Sequence, residues 1–398
     1  MACAGCAPAA HVTGGALVDT HDPGTALAAL DEACGARTAC PPHDRARIDL
    51  ERAFVAHAAG ARSRAERLFE TALDLEPLLA GAVTPKVLAR RAYGVVRPPY
   101  TPLVTESLAA LGFRMLTTAE AGDLEGARRA AVRFSELRER LYEAGDRTEH
   151  AAFGSFLAGQ VFAALGRADV AGAYYREVLA TRESLLSRAA LARIEDRADP
   201  LSRAYLAAPQ PYEGAHDPGL ARVVIIVAVG HVPPVRPQRL PIDFAWTLAG
   251  PYLDALGIDD GMTRLEQVGI EDVVIPELAP EGTQVDAPAL WIDDARIRLE
   301  ELSDLSAELE AEHRRLRRPM VAAALVRAIE GQDPLFLRAP DTRSVTTLPA
   351  RVFAAEVDVP AGLHQIRARA TIDRRVRQAA TAVRMRDGDV AVVGLTVL

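Results

Sequence analysis

The stretch Gly122-Asp-Leu-Glu-Gly-Ala-Arg-Arg-Ala-Ala-Val-Arg-Phe134 carries a spacing that occurs three times between residues 45 and 181. In each copy, small or large apolar side chains follow a glycine at offsets of five, nine and twelve residues. The three sets are Gly60 with Ala65, Phe69 and Ala72; Gly122 with Ala127, Ala131 and Phe134; and Gly166 with Ala171, Tyr175 and Val178. Because glycine readily ends a helix and these offsets share one helix face, the spacing predicts three helix–turn–helix pairs.

The same spacing is that of the turn and second helix of a tetratricopeptide (TPR) unit, in which helix pairs stack on one another. The predicted pairs are 44–59 with 62–75, 103–121 with 124–141, and 149–165 with 170–185. The glycines lie 62 and then 44 residues apart, whereas a regular repeat has about 34 residues. We therefore expect a degenerate TPR-like array, with a plain helical bundle as the alternative. Either architecture indicates a role in binding or assembly.

The second half of the chain predicts strands. Residues 223–229 form a β-branched run ended by Gly230, which is typical of a buried strand. Alternating apolar residues over 351–359 and 363–372, around the turn Pro360-Ala361-Gly362, predict an antiparallel hairpin. Residues 299–317 and 320–329, separated by Pro319, predict an inserted helix pair.

These patterns together predict an α+β protein. We expect a flexible leader over 1–43, a TPR-like domain over 44–205, a linker over 206–218, and a mixed, mainly antiparallel β domain over 219–398. The 398 residues exceed the ~100–200 of a single domain. The net charge of −8 argues against a nucleic-acid-binding protein, and no apolar run approaches the ~20 residues that span a bilayer.

All four cysteines lie within the first forty residues. Ala4-Gly5-Cys6 looks like the end of a lipoprotein signal, which makes Cys6 the candidate for lipid modification. Only five residues precede Cys6, so this hypothesis needs a gene start further upstream; otherwise the protein would be cytoplasmic. In an oxidising compartment Cys34 and Cys40 would pair. The alternatives are a four-thiolate metal site with Cys3, for which the Cys34–Cys40 spacing is too long, and a plain tether.

A loop with two tyrosines precedes the second helix pair. Tyr93 and Tyr100 offer rigid aromatic contacts, and together with Arg343 they are the candidate interaction surface. The alternative is that both tyrosines pack the loop against the protein.

The sequence contains no pattern that indicates catalysis. No glycine-rich phosphate loop, nucleophile elbow or His-Glu-x-x-His occurs. Asp259-Asp260 and Asp293-Asp294 lie in turn-like contexts, and a packed loop histidine is favoured over a ligand for His231. We therefore expect no catalytic residue, cofactor or bound metal.

Seven arginines and one acid lie between Arg367 and Arg386. Their placement in predicted strands favours a solvated strand face. Binding to anionic lipid headgroups or to another polyanion is the alternative interpretation.

The order of these motifs resembles a bacterial family of TPR-bearing envelope lipoproteins of unassigned function. The resemblance covers residues 45–370 and is carried by Tyr93-Gly94, Pro99-Tyr100, Gly122–Ala130, the strand ended by Gly230 with Pro233, Asp341-Thr-Arg343-Ser344, Leu348-Pro349 and Val359-Pro-Ala-Gly-Leu-His364. Thr101 and Val345 depart from the acid and the tryptophan of the family pattern. The resemblance implies an outer-membrane lipoprotein that faces the periplasm, and it brings no catalytic residues. Asp341 and Arg343 would then hold the last strands to the helices.

The sequence thus predicts a non-enzymatic, lipid-anchored interaction scaffold or adaptor of the bacterial cell envelope. Its partner would be another envelope protein, its membrane contact would come through the lipid anchor only, and nucleic acid would not bind. The runner-up hypothesis is a periplasmic protein that binds a small molecule or glycan. An enzyme is the third hypothesis and would need acids or histidines brought together from distant segments.

Overall fold

The computed structural model describes residues 14–35, 42–73, 99–143, 151–195, 199–206, 220–255, 257–258, 261–279, 283–329 and 340–398. The predictions on Cys6, Cys40, Tyr93 and Asp259-Asp260 fall outside these residues. The protein is mixed α+β, with helices in the N-terminal half and sheets in the C-terminal half, as predicted.

The leader is not a tether from Gly14 onward, which corrects the prediction for residues 1–43. Helices α1 (Gly14–Thr20) and α2 (Pro23–Gly35) pack on the protein and bury Val18, Ala26 and Leu30 in its main core. A Cβ atom on Gly14 would lie 2.5 Å from the Thr347 side chain, so the segment approaches too closely for a larger residue. The small residues of this segment, whose composition predicted a flexible tether, therefore allow it to pack closely against the protein.

The three predicted helix pairs are present. They are α3 (Arg45–Ala58) with α4 (Arg62–Ala72), α5 (Val104–Glu120) with α6 (Leu124–Glu143), and α7 (Ala152–Ala164) with α8 (Ala168–Thr181). Two further helices, α9 (Leu185–Glu195) and α10 (Pro200–Leu206), follow. All nine side chains at the predicted offsets are buried, so the spacing marks the faces by which the helices pack.

The three turns within the pairs have the same geometry. Gly60, Gly122 and Gly166 adopt φ values of 73°, 79° and 72°, a left-handed conformation that glycine adopts without steric cost. In each turn, the residue after the glycine donates its N–H to a carbonyl five residues earlier, at 2.8–3.0 Å. This is the Schellman arrangement, which satisfies the carbonyls at the end of the first helix.

The central strand is β1 (Ala221–Val229), as the β-branched run predicts. It pairs parallel with β10 (Val390–Val397) and antiparallel with β7 (Arg351–Val359), and β6 (Glu300–Asp304) completes a four-stranded sheet of order β10-β1-β7-β6. A second sheet has the order β5-β4-β8-β9, formed by Ala295–Ile297, Ala289–Ile292, Gly362–Ile372 and Arg375–Met385.

The hairpin predicted around Pro360-Ala361-Gly362 is wrong. β7 and β8 lie in different sheets, so the chain crosses between the sheets at this turn. β8 instead forms its hairpin with β9 through Asp373-Arg374. Alternation predicts one buried face for each strand, which holds for β8, whereas β7 is buried on both faces. The pattern does not say which strand is a neighbour.

The protein is layered around the first sheet. Val224, Ile226 and Ala228 of β1 belong to the core shared with the helices. Val223, Ile225 and Val227, on the opposite face, pack against the second sheet. This sheet is therefore buried on both sides, between the helical array and the second sheet.

A smaller unit contains β2 (Val235–Pro241), β3 (Asp272–Leu278), α11 (Ile242–Asp254), α12 (Gly261–Val268) and α13 (Leu305–Ile329). The predicted helix pair near 299–330 is wrong, because α13 is a single 25-residue helix with Pro319 inside it. Residues 300–304 form β6 instead of helix. Local pattern misses this arrangement because the first-sheet edge at β7 determines the conformation of β6.

Candidate functional site

Carboxylates from the C-terminal half accept hydrogen bonds from backbone N–H groups at or near the starts of several array helices. Glu312 of α13 accepts hydrogen bonds from the N–H groups of Val104 and Thr105 at 2.9 and 3.0 Å, at the start of α5. Glu308 accepts from Ala151 at 2.6 Å, next to α7, and Glu300 accepts from Leu186 at 3.1 Å in α9. Anionic groups at helix N-termini satisfy free N–H groups and interact favourably with the helix dipole.

The inner helices of the array are covered by the chain itself. Every residue from Thr105 to Ala119 in α5, and from Ala152 to Phe162 in α7, is buried. A Cβ atom on Gly394 of β10 would lie only 3.0 Å from Leu116. Repeat arrays often bind partners on one extended helix surface, and here the first sheet occupies it.

The predicted interaction surface is buried where the structure describes it. The Tyr100 hydroxyl donates to Glu106 Oε2 at 2.6 Å, and the Arg343 guanidinium lies 5.7 Å from the centre of the Tyr100 ring. Arg343 pairs with Asp341 at 2.6 Å and donates to the His43 carbonyl at 2.7 Å. Tyr100 and Arg343 are therefore brought together, but as packing partners and not as an exposed surface.

A second buried carboxylate, Glu51, joins three segments: α1, its own helix α3 and the 340–350 segment. It accepts from the Gly14 N–H at 3.2 Å, from the Thr346 hydroxyl at 2.8 Å, and from Arg47 at 3.0 Å. Burial raises the pKa of Glu51, and Arg47 opposes this rise. Burial likewise raises the pKa of Glu106. These carboxylates fix the N-terminal helices and the 340–350 segment and do not face solvent.

An open cleft lies between the β2–β3 pair and the first half of α13. Its volume is about 870 Å³. The lining residues are mostly polar and carry both signs of charge; they are Pro233, Arg236, Pro237, Gln238, Glu277, Leu278, Ala279, Thr283, Asp304, Ser306, Ala307, Glu310, His313, Arg314 and Arg317. No local sequence pattern marks this cleft, because β2, β3 and α13, which form its walls, are distant from one another in the sequence.

The carboxylates of the cleft already have partners. Glu277 lies 3.2 Å from Arg317, and Glu310 lies 3.9 Å from Arg314. Asp304 accepts the N–H of Ala307 at 2.9 Å, at the start of α13. The Glu277–Arg317 pair and the Asp304 cap hold charged groups at fixed places along the cleft, which suits recognition of a polar ligand.

His313 is the one histidine among these cleft residues, and it is 8% exposed. Burial lowers its pKa, against the opposing effects of Glu312 and of the Leu309 carbonyl. The ring is therefore neutral near pH 7, and it presents a weakly polar wall to the cleft.

The other predicted residues have structural partners. His231 lies 2.9 Å from Asp19, and Asp293 lies in a turn, as predicted, where its carboxylate contacts His364 at 2.9 Å. Cys34 is disulfide-bonded, but its pairing with Cys40 stays a prediction because Cys40 is outside the described residues.

The described residues contain no group of three or more His, Cys, Asp or Glu side chains arranged to hold a metal ion. Of the helices in the described segments, none has the length and apolar character needed to cross a bilayer. Comparison with family models, with curated proteins and with solved structures gives no match.

Proposed function

We propose that the protein is a non-catalytic interaction scaffold of the bacterial cell envelope, anchored through a lipid on Cys6. The cleft between the β2–β3 pair and α13 is its binding surface for an extended segment of another envelope protein. The observation that supports this proposal is the set of paired charges along the cleft. One wall of the cleft is α13, whose Glu308 and Glu312 also accept hydrogen bonds from backbone N–H groups at the starts of array helices. Such a surface is preorganised, so a partner binds without first ordering the side chains.

Site-specific photo-crosslinking in the native host tests this proposal. A photoreactive residue replaces Gln238 in the cleft, or Glu136 on the exposed outer face of α6 as a matched control. We expect one discrete protein adduct from position 238 and none from position 136. The Ala307→Trp variant, which fills the cleft from an exposed position, should abolish the adduct. Equal adducts from both positions would contradict the proposal.

Binding of a small molecule or glycan is the second candidate. The cleft volume of about 870 Å³ falls within the ~300–1,000 Å³ range of ligand pockets. Native mass spectrometry of protein purified from the host would then show a retained mass that the Ala307→Trp variant lacks.

The anchor is tested separately. We expect the Cys6→Ala variant, expressed from the natural locus, to move from the membrane fraction to the soluble fraction. Unchanged membrane fractionation together with no incorporation of labelled palmitate in the parent protein would contradict the lipid anchor.

A further inference from the structure

The outward face of the second sheet is basic. Residues Leu290, Ile292, Ile366 and Ala368 point into the core, so the alternate residues point away from it. Among these outward residues are Trp291, Arg296, Arg367, Arg369 and Arg384, which we call the basic face.

The strand register places these side chains next to one another. Trp291 pairs directly with Arg296 on β5 and with Arg367 on β8. Neighbouring strands lie about 4.8 Å apart, so Trp291 projects from the sheet between Arg296 and Arg367. Arg369 follows on β8, and Arg384 pairs with Leu363 at the other end of the hairpin.

The charge of this face is of one sign. None of the outward strand positions is acidic; the nearby acids Asp293, Asp294 and Asp373 lie in turns at the strand ends. Arg367 is 3.5 Å from Asp294. Arg369 and Arg384 have no ion pair or side-chain hydrogen bond within the described part of the chain, so they are available to an external anion.

Two aliphatic side chains complete the face. Leu363 and Val376 are 56% and 54% exposed, near opposite ends of the β8–β9 hairpin. Arginine and tryptophan join an apolar body to a polar group, and both suit the boundary between lipid headgroups and acyl chains. A single-stranded nucleic acid site would instead combine its basic groove with a series of aromatic platforms.

We propose that the basic face binds the surface of a bilayer that contains anionic lipids. The guanidinium groups of Arg296, Arg367, Arg369 and Arg384 contact lipid phosphates, and Trp291 lies among the headgroups. This inference extends the membrane contact beyond the lipid anchor, and it rests on the proposed envelope location.

The N-terminal helices contact the second sheet from the face opposite to the basic face. Arg377 of β9 donates to the Asp19 carbonyl of α1 at 3.0 Å. Cys6 precedes Gly14 by eight residues, which span at most about 28 Å of chain. A lipid on Cys6 would therefore hold the second sheet near the bilayer, where the basic face adds electrostatic attraction to anionic headgroups.

Vesicle binding by the full chain, produced without the lipid, tests the proposal independently of Cys6 and of the cleft. The Trp246→Phe variant leaves Trp291 as the single tryptophan. We expect co-sedimentation with vesicles of phosphatidylcholine plus phosphatidylglycerol, a blue shift of Trp291 emission, and loss of binding at high salt. Vesicles of phosphatidylcholine alone should not bind.

Neutralising arginines gives the quantitative test. The double variant Arg369→Gln/Arg384→Gln should weaken partitioning about 30-fold, since each arginine near an anionic surface contributes about 1 kcal/mol. The matched control Arg129→Gln/Arg133→Gln, on the exposed face of α6, should change partitioning less than about 3-fold.

Three outcomes would overturn the proposal. They are equal binding to neutral vesicles, an equal loss in both double variants, and binding of a single-stranded oligonucleotide without binding of vesicles. The crosslinking and fractionation experiments test the proposed function without these arginine variants. Failure of membrane binding by the basic face can therefore be told apart from failure of the proposed function.

Discussion

At the scale of single residues, glycines in the inner helices make room for aromatic rings. A Cβ atom on Gly112 would lie 2.6 Å from the Phe153 ring, and one on Gly159 would lie 2.4 Å from the Tyr175 ring. Tyr175 is the residue nine positions after Gly166, so the third helix pair contains both the ring and the glycine that accommodates it. This pairing explains why the spacing predicts packing and not only helix boundaries.

Filling one of these holes should be costly. We expect the Gly159→Ala variant to lose about 1–3 kcal/mol of unfolding free energy, because a rigid ring and its neighbours must move. Urea unfolding measures the loss. The control is Gly172→Ala in α8, where the nearest atom would be 3.6 Å away; it should be neutral or stabilising by up to about 1 kcal/mol. Equal losses in both variants would contradict steric crowding as the cause.

His57 should make stability fall in mild acid. Burial lowers the pKa of His57, and the nearby Glu120 only partly offsets this effect while Arg62 adds to it. The unfolded chain then binds a proton that the folded chain does not, so stability declines below about pH 6.5, by at most about 1.4 kcal/mol per pH unit. Urea unfolding at pH 7.5 and pH 5.5 should show a smaller difference for His57→Gln than for the parent protein.

The parent protein also supplies the control for this comparison. Burial raises the pKa values of Glu51 and Glu106, so these carboxylates favour the folded state as the pH falls. Glu51 and Glu106 are present in both the parent protein and the His57→Gln variant. The difference between their two pH effects on stability therefore reports the contribution of His57. A pH effect that is the same in both proteins would rule out His57 as its source.

Residue patterns predicted where side chains pack, but not their distant partners. The offsets from the three glycines identified buried positions correctly, because helix geometry alone relates them. Tyr100 and Arg343 were candidates for an interaction surface because Glu106 and the His43 carbonyl, which help to bury them, are not visible as a local pattern. For Tyr100, the alternative of packing against the protein is the one observed. The cleft was missed for the same reason.

At the scale of elements, α13 connects the two halves of the protein. Glu308 and Glu312 face the helical array, where they satisfy backbone N–H groups near α7 and α5. His313 and Arg317, on the same helix, line the cleft. The helix therefore couples the position of the cleft wall to the fold of the array.

Removing one of these carboxylates should destabilise the start of α5. We expect Glu312→Ala to cost about 1–3 kcal/mol, because the N–H groups of Val104 and Thr105 lose their acceptors. Hydrogen exchange should quicken at these two amides. The control Glu310→Ala removes an exposed carboxylate from the same helix and should stay within about 0.5 kcal/mol. Unchanged exchange at α5 in Glu312→Ala would contradict the capping role.

The β8–β9 turn offers a stabilising change. Asp373 and Arg374 adopt φ values of 47° and 66°, and a two-residue turn of this type favours glycine at its second position. Arg374→Gly should therefore stabilise the protein by about 0.5–1 kcal/mol in urea unfolding. The reciprocal control is Gly388→Ala, at φ 75° with open space around it, which should destabilise by a similar amount. Destabilisation by Arg374→Gly would contradict the role of backbone strain.

Elements with strong local signals were predicted well, and those set by distant pairing were not. The helix pairs follow from periodicity, and β1 follows from its β-branched run. By contrast, β6 forms at the edge of β7, and β7 and β8 separate into two sheets. Residues 299–317 have a helical pattern throughout, so pairing with β7 overrides local preference over 300–304.

At the scale of the whole molecule, the helical array and the first sheet share one core. Ile226 and Ala354 belong to the same buried cluster as Leu116 and Phe156. Carboxylates on β6 and α13 add hydrogen bonds across this contact. The array is therefore not a free-standing repeat domain, since the sheet fills the surface that such domains expose to partners.

A shared core predicts that the two halves unfold together. Far-UV circular dichroism reports mainly on the helices, whereas both tryptophans, Trp246 and Trp291, lie in the C-terminal half. We expect the two signals to give coincident urea transitions, as a cooperative unit requires. Ile226→Ala, on the helix-facing side of β1, should shift both transitions together by about 2–5 kcal/mol. The control Val132→Ala, at a 37% exposed position on α6, should shift neither appreciably; a displacement of only one signal by Ile226→Ala would show two separately folding units.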